Sequence, residues 1–174
     1  MSKPVIAITM GDPAGIGPEV ILNAISDEQV KGMAKFLIFG DSNILHREAK
    51  SLGIEFPLIP IPSVADAVFP PNAVEIVNLT ALSPSLEYGK PSAVSGDAAF
   101  RYIKNAALSA VKREVAAVVT APISKEALKM AGHNYPGHTE ILAELCNTND
   151  YVMMLAGPHL RVVLCTIHVP YTQV

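Results

Sequence analysis

The chain has 174 residues, 50% of them hydrophobic and 17% charged, with a formal net charge of −3. That composition excludes a disordered segment and a basic nucleic-acid module. The charged share is low against roughly 25% in an average soluble protein, so a small domain would be short of polar residues to cover its surface.

No apolar run reaches the roughly 18 residues of a membrane span. The opening Met1-Ser2-Lys3-Pro4-Val5 lacks the long apolar region and cleavage site of a secretory signal. A single cytoplasmic domain is expected. Cys146 and Cys165 lie far apart without metal-type spacing, and read as buried thiols in a reducing compartment.

In chain order, residues 5–10 (VIAITM) form a nearly continuous apolar run and predict a buried strand. Pro18 then opens a helix to about Ile25, since its missing N–H would be unpaired in the first turn anyway. Residues 35–40 (KFLIFG) predict a second strand, and Asp41 or Ser42 caps a helix that stops near Gly53. The stretch 56–86 carries Pro57, Pro60, Pro62, Pro70 and Pro71. Proline removes ladder donors, so short edge strands and loops are expected there, with 74–79 the best strand.

Residues 92–112 predict the clearest helix, with Ser95 as N-cap. Ala99, Tyr102, Ile103, Ala106, Ala107, Ala110 and Val111 share one small-residue face. A buried parallel strand at 115–120 follows, then a helix capped by Ser124 and ending at Gly132, then a helix over 139–145. Strands at 151–156 and 160–167, joined at Gly157-Pro158, predict an antiparallel hairpin. Alternating buried strands and helices imply an α/β fold, three layers with helices on both faces of a mostly parallel sheet.

Ligands in such folds bind beyond the carboxyl ends of the strands, and four segments fall there. Residues 9–19 (TMGDPAGIGPE) place three glycines between a strand and a helix, without the GxGxxG fingerprint or a P-loop ending. They suit either ligand contact or a structural turn. In residues 120–125 (TAPISK), Lys125 and the hydroxyls could hold an anion, or Ser124 could simply cap a helix. In residues 135–140 (YPGHTE), His138 and Thr139 enter a helix and could converge on an anionic substrate; otherwise Thr139 caps and His138 is exposed. His168, after the last strand, is a metal-ligand type, but a catalytic metal normally needs three ligands. His46, His133 and His159 show no ligand-pair spacing.

Together, TMGDPAGIGPE, SGDAAFRYI, TAPISKEALKMAG, YPGHTEILAE, YVMML and LRVVLCTIHVP resemble the N-terminal half of the 4-hydroxythreonine-4-phosphate dehydrogenase (PdxA) family. The resemblance covers nearly the whole chain and implies a fold like that of isocitrate and isopropylmalate dehydrogenases. It implies an incomplete subunit, residues 1–174, of a homodimer with its active site near the dimer interface. The implied reaction is NAD- or NADP-dependent oxidation of 4-phosphohydroxy-L-threonine. The oxo acid formed would decarboxylate to 3-amino-2-oxopropyl phosphate, in pyridoxine 5'-phosphate synthesis. A divalent metal (zinc, magnesium or cobalt) would assist.

Carried over by motif, His138 and Thr139 contact substrate and His168 binds the metal, with the remaining ligands in the absent half. Some members have Glu where this chain has Asp12. The same pattern occurs in dehydrogenases of 4-phospho-D-threonate and of aromatic cis-dihydrodiols, and a non-catalytic half is the remaining reading. The low charge then marks apolar faces, including the Ala-rich helix and the closing strands, that await a cover.

Overall fold

The computed structural model describes residues 3–166 together with Pro170 and Thr172. Five parallel strands, β1 (Val5–Thr9), β2 (Lys35–Gly40), β3 (Leu58–Ile61), β4 (Val74–Asn78) and β5 (Ala117–Thr120), form one sheet in the order β3-β4-β2-β1-β5. The helices are α1 (Gly17–Ser26), α2 (Glu28–Met33), α3 (Ser42–Leu52), α4 (Ala93–Val111), α5 (Lys125–Met130) and α6 (His138–Leu145). A separate antiparallel hairpin, β6 (Met153–Ala156) with β7 (Arg161–Leu164), follows. The α/β class and the mostly parallel sheet are as expected.

The order of the strands places the helices. From β1 to β2 and from β2 to β3 the chain moves one way across the sheet, and from β4 to β5 it moves back. Right-handed crossovers then put α1–α3 on one face and α4 on the other. The core lies on the central strands: Leu37, Ile38 and Phe39 of β2, Ala7 of β1 and Ile76 of β4 are fully buried.

Local chemistry fixes the helix starts. Asp41 accepts hydrogen bonds from the N–H groups of Asn43 (2.9 Å) and Ile44 (3.2 Å), and so caps α3. Gly53, at φ 68°, ends α3 in the left-handed region. Ser124 caps α5 through the Ala127 N–H at 3.1 Å.

Several expectations are corrected. Ser92, not Ser95, caps α4; Ser95 is the third helical residue and closes a reciprocal capping box. Helix α2 is additional to the expected elements; Asp27 caps it, accepting from Gln29 N–H at 2.7 Å. β4 is an interior strand, because the prolines fall in edge strand β3 (Pro60) and the flanking loops while β4 has none. β5 is parallel but only half covered; Val119 is 52% exposed.

Both cysteines are exposed rather than buried. Most of the Ala-rich α4 face is already covered within the chain: Ala99, Tyr102, Ile103, Ala106 and Ala107 are buried, Ala110 is half-buried, and Val111 is exposed. The close approach of α5 explains part of this, since a Cβ at Gly96 would lie 2.0 Å from the Ala127 carbonyl oxygen. The closing hairpin is the apolar element left open, with every residue of β6 exposed.

Candidate substrate site at the carboxyl ends of β1 and β5

Thr9 pairs in register with Thr120, so β1 and β5 end side by side. Beyond β1 the chain turns at Gly11, with φ at 72°. A Cβ there would lie 2.3 Å from the Pro122 carbonyl oxygen and 2.9 Å from that of Ala121. The next N–H, of Asp12, donates to the Pro122 carbonyl at 2.9 Å. Asp12 is buried and accepts from the Ala14 N–H at 2.8 Å. Gly17 is equally constrained, since a Cβ there would lie 2.2 Å from the Met10 carbonyl oxygen. Gly11 and Gly17 thus let backbone meet backbone, which is the structural-turn reading of this loop. Helix α1 then begins without a side-chain cap, with Pro18 and Glu19 in its first turn.

The locked 121–122 backbone carries the main consequence. His138 is half-buried beside the Ala121 backbone. Burial holds the imidazole below the usual histidine range, and the neighbouring Ala121 backbone opposes that in part. Nε2 is buried without a hydrogen-bond partner. In the neutral ring an unpaired Nε2 is open to a hydrogen bond with a ligand. Thr9 Oγ1, at the end of β1, is a second buried and unpaired polar atom. Thr139 is half-buried at the second position of α6, and Gly137, not Thr139, is the N-cap.

The other sequence candidates fare differently. Lys125 is exposed while Ser124 caps α5, so that segment follows the capping reading. His168 lies outside the described residues. Among the described residues no three His, Cys, Asp or Glu side chains converge as a metal site. The described residues therefore do not by themselves fit the divalent ion. His133 is instead tied to Asp97 at 3.1 Å and stacked on Phe100 at 3.9 Å.

Sequence reasoning missed a buried network beside this end of the sheet. The second oxygen of Asp41 accepts from Thr80 Oγ1 and from the Leu82 N–H, both at 2.7 Å, and Thr80 bonds the Tyr102 hydroxyl at 2.6 Å. Burial, above all, raises the Tyr102 pKa. Arg47 stacks on Tyr88, whose hydroxyl bonds Glu48, and the Gly89 N–H reaches the Ala14 carbonyl at 2.7 Å. Residues 79–89 thus strap α3 to the glycine loop. A 490 Å³ cavity opens beside the strap between Thr80, Asp97 and Arg101. The only forward signal was Asp41 as a helix cap, because its other partners lie 39–41 residues away.

A family model described as "Pyridoxal phosphate biosynthetic protein PdxA" matches residues 32–174. The chain is 50% identical over 168 residues to the 4-hydroxythreonine-4-phosphate dehydrogenase of Trichlorobacter lovleyi, covering 95% of this chain and 50% of that protein. It is 43% identical over 171 residues to the D-threonate 4-phosphate dehydrogenase of Salmonella typhimurium, covering 97% of this chain and 52% of that one. A crystal structure of a 4-hydroxythreonine-4-phosphate dehydrogenase from Burkholderia phymatum superposes with a TM-score of 0.92 at 38% identity, over 99% of this chain and 52% of that one. The chain spans about half the length of the relatives it matches.

Proposed function

The chain belongs to the PdxA family, and from that premise we propose that it forms part of a nicotinamide-dependent dehydrogenase acting on a phosphorylated hydroxy acid. The observation that carries the reading is the His138 imidazole, held neutral at the carboxyl ends of β1 and β5 with Nε2 buried and unpaired. Such an atom can hydrogen-bond a polar group of the substrate and orient it. Thr139 supplies a hydroxyl one residue on. Burial limits water there, which strengthens each polar contact.

A nicotinamide cofactor, NAD or NADP, would take the hydride from the secondary alcohol. His168 is proposed as one ligand of a divalent ion in a protein of the relatives' full length. That proposal is tested by metal content: His168→Ala in the full-length protein should lose bound metal, and unchanged metal content overturns it.

The substrate we favour is 4-phosphohydroxy-L-threonine, oxidised to an oxo acid that decarboxylates to 3-amino-2-oxopropyl phosphate for vitamin B6 synthesis. The 50% identity to the Trichlorobacter enzyme supports it. The 43% identity to the Salmonella enzyme supports D-threonate 4-phosphate as the second reading. Turnover of each substrate by the full-length protein, followed as reduction of NAD or NADP, separates them. Faster turnover of D-threonate 4-phosphate overturns the first choice, and turnover of neither overturns the dehydrogenase reading. We also propose that the exposed hairpin β6–β7 contacts a second copy of the chain in a homodimer.

A further inference from the structure

The geometry points to a second binding pocket, for a small aromatic anion, at the amino ends of the sheet strands. This is the end of the sheet opposite His138. A cavity of 520 Å³ opens there, between the start of β2, the start of β4 and the loop before β4. That volume is in the range of small-molecule sites.

Its lining combines two chemistries. Phe36, Phe56 and Phe69 give flat apolar walls, and Lys3, Lys31 and Lys35 give ammonium groups. The two are already interleaved. The Lys35 ammonium lies 4.9 Å from the Phe69 ring centre and the Lys31 ammonium 5.8 Å from that of Phe56. Lys3 donates to the Lys31 carbonyl at 3.3 Å, which gathers the third cation at the rim.

The carboxylates that face the cavity are Glu28 and Glu75. Glu28 pairs with Lys31 at 2.7 Å on the exposed side. Glu75 is 2% exposed, and its two oxygens are taken by the N–H groups of Val68 (2.9 Å) and Phe69 (2.8 Å). Three ammonium groups against two engaged carboxylates leave this concavity positive on a chain of net charge −3. An anion is the complementary ligand, and the phenyl walls ask for an aromatic body.

Phe69 shows that the wall is specifically held. Its φ is 54°, an outlier for a bulky residue. The buried Glu75 carboxylate binds the N–H of Phe69 and of the residue before it, and so fixes the ring against Lys35. Strained backbone that the surroundings hold in place is a pointer to binding.

The test uses the full-length protein and naphthalene-2-sulfonate as probe, titrated by calorimetry. One saturable site is expected. The double variant Lys31→Met and Lys35→Met keeps the aliphatic stems and should bind about tenfold more weakly, with unchanged dehydrogenase turnover. Phe69→Ala should also weaken binding, whereas His138→Ala should leave it unaltered. Inorganic sulfate alone should not bind detectably. Absence of a saturable site overturns the inference. So does binding that survives the lysine double variant unchanged, or that is lost in His138→Ala.

Discussion

Strands β2 and β7 are both written in apolar residues, yet they end in opposite surroundings. In β2, KFLIFG, Leu37 and Ile38 are fully buried between β1 and β4 and under helices. In β7, RVVL, Val162 is 40% and Val163 48% exposed. A continuous apolar run therefore says strand in both places, but burial depends on what lies across it. Parallel strands in this fold bring their own helical cover through the crossovers. A two-residue-turn hairpin brings none, and an isolated two-stranded hairpin is marginal in water. An apolar patch of this kind marks a contact surface.

Paired truncations in the two strands should differ most. Ile38→Ala removes a fully buried side chain and should cost about 2–5 kcal/mol in urea denaturation. Val163→Ala in the same chain should cost under about 0.5 kcal/mol. Equal costs would mean the hairpin is part of the folded core.

Gly11→Ala comes next in size. It forces a Cβ against two carbonyl oxygens at positive φ, so a loss of about 1–3 kcal/mol is expected. Because those carbonyls belong to Ala121 and Pro122, the variant should also raise KM for the phosphorylated substrate in the full-length protein. Unchanged KM would detach His138 placement from the glycine loop.

Val163→Asp sharpens the other half of the contrast. Sedimentation should show dissociation of the proposed full-length homodimer, while thermal stability of the separated chain changes by under about 0.5 kcal/mol. An unshifted dimer would place the contact elsewhere.

The smallest effect is the pH dependence from His138. Burial lowers its pKa in the folded state below the unfolded value of about 6.5. The unfolded chain then binds more protons in that window. Stability from this group is present above about pH 6.5 and is lost as pH falls through the folded pKa. Replacing His138 with Gln should flatten that acid limb of the stability profile, and an unaltered limb would contradict the burial argument.

Much of the fold was legible because its signals are local. The strand runs of β1 and β2, the Asp41 and Ser124 caps and the Gly157-Pro158 turn all act within a few residues. What was not legible depends on long-range placement. Pro60 correctly marked an edge strand, but nothing near Val74 says that β4 lies between β3 and β2. The exposure of Cys146 and Cys165 and the internal cover of the α4 alanines are also set by tertiary neighbours. In the site, the histidine at 138 stood out by its setting after Gly137. The backbone it lies beside is 17 residues earlier at Ala121, behind a glycine turn over 100 residues away, and no local pattern connects them. His168 falls outside the described residues, so its role rests on motif resemblance alone.

The central claim is that His138, beside Ala121, binds the proposed phosphorylated substrate. It is tested most directly by calorimetric titration of the full-length protein with 4-phosphohydroxy-L-threonine, wild type against His138→Ala, with thermal melting to confirm that both are folded. Loss of a hydrogen bond to a polar or charged group predicts binding weakened by about tenfold or more in the variant. Equal affinity in two folded proteins would contradict the account.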